Sequence, residues 1–136
     1  DGPGAVPFPG GLQLPGDGLS WVGDNHAKGI SPRPGAITVH ASPRLSDALW
    51  VAPDDEVVAR MLAASRDWLG APIISAKVNR WAYSRPCGTI NREGLLHLRT
   101  PPLALAGDAF VAPRIEGAVL SGLRAAKGVV QALGAP

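Results

Sequence analysis

The chain has 136 residues, a formal net charge of +2, 46% apolar residues and only 5% aromatic ones. That length supports one modest body of core, and the apolar content excludes wholesale disorder; the core volume has to come from Ala, Val and Leu. Lys and Arg are interspersed with acids and never form a block, which argues against a nucleic-acid partner, because a binding footprint needs positive charge clustered on one face.

Cys87 is the single cysteine, so an intrachain disulfide is excluded and a reducing compartment is favoured. No basic segment followed by an apolar core opens the sequence, and no apolar run has the length to span a bilayer. The expectation is a soluble, cytoplasmic chain with no membrane partner.

Residues 1–18, DGPGAVPFPGGLQLPGDG, mix too many glycines and prolines for a helix or a central strand and read as loop and edge material. Gly2, Gly4, Gly10 and Gly11 do not make a dinucleotide fingerprint, since no strand precedes them and no helix follows. LSWVG (19–23) predicts a short strand, and DNHAKGISPRPG (24–35) a loop dense in turn formers. AITVHAS (36–42) alternates, with Ile37, Val39 and Ala41 on one face and Thr38 and His40 on the other, as in a half-buried strand.

A helix is predicted from about Pro53 to Leu69, with Val57, Val58, Met61, Leu62, Ser65, Trp68 and Leu69 as its stripe. Asp54, Asp55 and Glu56 suit the positive end of its dipole, and Gly70 and Pro72 stop it. PIISAKVNRWAYS (72–84) alternates and predicts a long strand, with Arg80 on one face and Trp81 and Tyr83 on the other. After the RPCGTINREG loop come a short strand in LLHL, an apolar strand at Leu103 to Ala106, and the Gly107-Asp108 turn. The last helix, roughly Ile115 to Leu133, is expected to bury Ile115, Ala118, Val119, Gly122, Ala126, Val129, Val130 and Leu133, leaving Arg124, Lys127 and Gln131 to solvent.

The strand–turn–helix LALAGDAFVAPRIEGAVLSGLRAAKG is the segment richest in chemistry. A strand ending in Gly-Asp places one carboxylate at the carboxyl edge of a sheet, where ligands bind in α/β layers. The helix after it offers backbone N–H groups at Glu116, Gly117 and Ala118 where its dipole favours negative charge. The plainer reading, in which Asp108 only caps a turn, stands beside this one. His26, His40, His97 and Cys87 lack metal-ligand spacing, and no G-x-S-x-G elbow or P-loop is present. Cys87 has no activating base in sequence and reads as a structural loop thiol; Lys28 reads as a turn lysine and His40 as a hydrogen-bonded sheet histidine.

GDAF…IEGAVLSGLRAA resembles the C-terminal FAD motif of flavin-containing amine oxidases, and LSWVGDNHAKG, ITVHAS and VNRWAYSRPCG follow the order seen in the renalase-like branch of that superfamily. The resemblance spans about residues 19 to 133. It implies that Asp108, with Gly107, contacts the ribityl or pyrophosphate region of FAD. It also implies that the backbone at Glu116, Gly117 and Ala118 faces the isoalloxazine ring, where a helix N-terminus stabilises the charge of the reduced flavin. Trp81 and Tyr83 either wall the pocket of a small-molecule substrate or are core aromatics of a twisted sheet. No side chain stands out as an acid or base, so no catalytic residue is assigned.

The fold class expected is α+β: an antiparallel substrate-domain sheet with a covering helix, plus the final strand and helix of an FAD-binding Rossmann-like domain. Residues 1–18 are then an edge segment, 19–100 a substrate-domain portion and 101–136 the end of the FAD-binding domain. Family members open with a G-x-G-x-x-G βαβ unit, which this sequence lacks; the expectation is a C-terminal portion whose partner is the missing dinucleotide-binding half. The complete protein is expected to oxidise an amine or dihydronicotinamide-type substrate with oxygen as acceptor, and the portion alone to be inactive. A desaturase or protoporphyrinogen-oxidase-like enzyme, or a non-catalytic interaction domain, are the alternatives.

Overall fold

A computed structural model describes residues 2–90, 96–99 and 102–134. The chain is mixed α+β and divides into two compact units, Asp1–Arg80 and Trp81–Pro136.

The first unit is built on three antiparallel strands in the order β1 (Gly11–Gln13), β2 (Leu19–Asp24), β3 (Ile37–Ala41). β1 lies in the proline-rich opening segment and takes the edge, where a Pro-flanked strand costs no ladder bonds. Leu12, Val22 and Val39 align across the sheet on one face, and Val22 is fully buried. Gln13, Trp21 and His40 align on the other, beside the row Gly11, Gly23 and Thr38. The register slips between Leu19 and Trp21, and there the Ser20 hydroxyl donates to the Ala41 carbonyl at 2.9 Å.

β3 runs straight into α1 (Pro43–Leu49), a helix outside the predicted elements. Ser42 is its N-cap, accepting the Leu45 N–H at 3.1 Å, and Pro43 fills the first helical position. The Ser42 hydroxyl also donates to the Asp17 carbonyl at 2.6 Å, so one buried side chain joins the β1–β2 connection to the helix start.

The helix predicted over 53–69 is two helices, α2 (Asp54–Ala64) and α3 (Arg66–Leu69). The break has a local cause. Ser65 is fully buried and its hydroxyl donates to the Met61 carbonyl at 2.8 Å, an acceptor the backbone ladder also uses. α3 ends at Gly70, with φ of 66° as a left-handed terminator requires. Of the predicted stripe only Val57 and Ser65 are buried; Val58, Met61, Leu62, Trp68 and Leu69 are half-buried.

No strand forms over 72–84. Alternation supplies a face but not a neighbouring ladder, and this segment finds none. Its order comes instead from Arg80, whose guanidinium pairs with the Asp54 carboxylate and donates to the Ala52 carbonyl at 2.6 Å.

The second unit pairs β4 (Leu96–Arg99) with β5 (Pro102–Leu105) as an antiparallel ribbon, against which α4 (Ile115–Ala132) packs. The expected buried stripe of α4 is displaced. Gly117, Ser121 and Ala125, at four-residue spacing, are its buried residues, whereas Ile115 and Leu133 are largely exposed and Val119, Gly122, Ala126 and Val130 also face out. Close approach explains the choice: a Cβ on Gly117 would stand 2.1 Å from the Ala112 carbonyl oxygen, so no larger residue fits. Arg124, Lys127 and Gln131 are exposed. Among the described residues no helix is long and apolar enough to cross a membrane.

Candidate functional site

The connection from β5 to α4 is held from both ends. The Gly107 N–H donates to the buried Ser121 hydroxyl at 3.1 Å, tying the turn to the second turn of the helix. Phe110 is buried and its N–H reaches the Gly107 carbonyl at 3.3 Å; the Ala109 carbonyl accepts the Ile90 N–H at 2.6 Å. Asp108, between these anchors, keeps its side chain exposed. The turn is thus fixed while its carboxylate is presented to solvent.

The N-terminus of α4 carries no side-chain cap. Arg114 occupies the N-cap position with extended backbone, and its carbonyl takes the Ala118 N–H at 3.1 Å. The open donors of the first turn therefore belong to Ile115, Glu116 and Gly117, one residue earlier than the sequence suggests. Arg114 and Glu116 form an exposed ion pair at 3.7 Å, which places one carboxylate beside the positive end of the helix.

Tyr83 and Asp108 line one open depression of about 360 Å³, with Ala82, Ser84, Arg85, Pro86 and Cys87. Trp81, Gly107, Glu116, Gly117 and Ala118 do not line it. Trp81 and Tyr83 are both strongly exposed, at 73% and 100%, which overturns their reading as sheet-core aromatics. Cys87 is a free, exposed thiol. Among the described residues no cluster of three or more His, Cys, Asp or Glu could hold a metal ion.

A second arrangement lies on the outward face of the three-stranded sheet. Asp24 is buried and its Oδ1 accepts the N–H groups of His26 and Ala27 at 2.9 and 3.0 Å, while its carbonyl accepts the Lys28 N–H at 3.1 Å. The Asn25 amide donates to Thr38 Oγ1 at 2.8 Å, and His26 Nδ1 lies 3.0 Å from the Ser31 carbonyl. The turn so formed sets Lys28 Nζ 4.8 Å from the centre of the Trp21 ring. His40 stands at the same indole, ring centres 4.9 Å apart. Burial, and secondarily the Lys28 ammonium, hold the His40 imidazole below its ordinary value of 6.5. Lys28 in a turn and His40 on a strand were legible from sequence, whereas the ring hydrogen bond expected of His40 is replaced by the indole contact. Their meeting on Trp21 was not legible.

No family model matches the chain.

Proposed function

We propose that this chain is the C-terminal portion of an FAD-dependent oxidoreductase of the amine-oxidase superfamily, on its renalase-like side. The observation that carries the reading is the β5–turn–α4 unit. An exposed Asp108 precedes an uncapped helix start, and Gly117 brings that helix against the turn too closely for any side chain.

These residues fit part of a flavin site. The open N–H groups of the first α4 turn are donors awaiting an acceptor, and a helix start favours an electron-rich ring edge. The exposed Asp108 carboxylate would accept a hydrogen bond from a ribityl hydroxyl. Bound FAD would supply the hydride-accepting chemistry; this chain's part is to position it and to tune its charge. A glycine-rich phosphate cradle is absent from the sequence, so the pyrophosphate must be held by another segment, the dinucleotide-binding half of the reading. The substrate is an amine or a dihydronicotinamide-type molecule, with Tyr83 and Trp81 as exposed aromatic surface for it, and oxygen as acceptor.

A non-catalytic docking domain of the same origin is the second reading. It is favoured by one observation: Ile115, Val119 and Leu123 leave an apolar stripe on the outside of α4. The two readings part on one experiment. Joined to a dinucleotide-binding half, the enzyme reading expects bound flavin and hydrogen peroxide on addition of amines or dihydronicotinamides. Absence of flavin in that joined protein would leave only the docking domain.

A further inference from the structure

We propose that the outward face of the β1–β3 sheet binds a tetrahedral oxyanion between Lys28 and His40, at the edge of Trp21. The inference stands on the first unit alone and makes no use of the flavin reading.

Three donors converge on this face. Lys28 makes no ion pair with any described residue, and its ammonium stands over the Trp21 ring. The His40 ring stands beside the same indole, ring centres 4.9 Å apart. Thr38 Oγ1 accepts from Asn25, which leaves its own O–H to donate outward. Thr38 and His40 project on the same side of β3, two residues apart, and Lys28 reaches that side from the turn.

The floor beneath them is apolar. The Trp21 indole lies flat on Gly23, where a Cβ would come within 2.0 Å of the ring, so the platform exists only because position 23 is glycine. Lys28 is held over that platform by a turn whose N–H groups are satisfied by Asp24 and Asn25. The donors are therefore placed before any ligand arrives, which lowers the ordering cost of binding.

No acid competes. Asp24 belongs to the opposite face, where it is buried and engaged by His26 and Ala27; Asp17 pairs with Arg44. The other titratable group of the turn, His26, is turned to the Ser31 carbonyl. Two nitrogen bases and a hydroxyl around an apolar floor, without a carboxylate, match an acceptor-only ligand with several oxygens. A dianion would also relieve the repulsion between Lys28 and a protonated His40, so binding strengthens as pH falls.

The test follows the His40 ring signal by NMR as a function of pH, at constant ionic strength, in chloride, sulfate and acetate. Sulfate keeps both charges throughout the range. The expected result is a saturable rise of the His40 midpoint in sulfate, by roughly half a pH unit or more, a smaller rise in acetate, and none in chloride. Lys28→Met keeps the stem on the indole; it should raise the midpoint in chloride and abolish the sulfate response. Equal midpoints in sulfate and chloride, an acetate response as large as sulfate's, or an undiminished sulfate response in Lys28→Met would each overturn the proposal.

Discussion

The two units solve the burial problem differently. Residues 1–80 close a core of their own, with Val6, Leu19, Val22, Leu49 and Val57 buried between a three-stranded sheet and short helices. In residues 81–136 the long helix turns glycine, serine and alanine inward, and Phe110 and Ala125 are the buried apolar residues among those described. Its larger apolar side chains, Ile115, Val119, Leu123 and Leu133, face outward. The helix thus spends its small residues on close packing and leaves an apolar stripe on its outer side. The first unit should therefore respond to core mutations as an ordinary small domain does, and the second should not.

Val22→Ala is the hardest blow to that contrast. It empties the centre of the first sheet and should cost about 2–3 kcal/mol, read as a lowered urea midpoint; a loss below 1 kcal/mol would mean the first unit has no real core. Gly117→Ala comes next. The new methyl meets backbone of Ala112, which cannot swing away, so we expect a loss of roughly 1–3 kcal/mol and disturbed amide signals from 107 to 118. Ser42→Ala removes a buried N-cap and should lower stability by about 1 kcal/mol, with the change in amide exchange centred on α1 and the β1–β2 connection at Asp17. Val119→Gln, on the outer stripe of α4, should alter stability by less than about 0.5 kcal/mol; a large loss there would show that the stripe is already covered and break the comparison.

The smallest effect is a pH dependence in the first unit. His40 titrates below 6.5 when folded, so the unfolded chain binds the proton more readily. Stability is then independent of His40 above about pH 6.5, falls as pH drops through the interval down to the folded value, and levels off beneath it. His40→Gln should flatten that part of the thermal-midpoint profile; an identical profile would remove His40 as its source.

Much of this frame was legible in the sequence where one rule acted alone. The strands at 19–23 and 36–42 and the helix from Ile115 follow from alternation and three-to-four spacing, and the structure has all three. Rules failed where two competed. Alternation over 72–84 promised a strand, yet no ladder was there to receive it. Helical spacing over 53–69 passed through Ser65, which separates α2 from α3 and whose hydroxyl shares the Met61 carbonyl with its own N–H. Ranking residues of α4 by apolarity put Ile115 and Leu133 inside, whereas approach distance selected Gly117, Ser121 and Ala125. The Ser42-Pro43 pair was a readable helix start, obscured because the helix it opens is only seven residues long.

The same holds for the sites. Asp108 and Tyr83 were singled out from sequence, and both line the depression of the second unit. The Trp21, Lys28 and His40 cluster was not foreseeable. It depends on Asp24 folding its own turn and on Gly23 leaving room for an indole, and neither is a periodic signal.

The central claim is that the β5–α4 segment contributes one side of a flavin site whose phosphate-binding side lies elsewhere. Titrating FAD into the chain while recording amide spectra tests it directly. The predicted result is weak binding, with dissociation constants on the order of 100 μM to 1 mM, corresponding to roughly 4–5.5 kcal/mol, and shifts concentrated at Gly107, Asp108 and Ile115 to Gly117. No shift at millimolar FAD, or shifts centred on residues outside that segment, would contradict it.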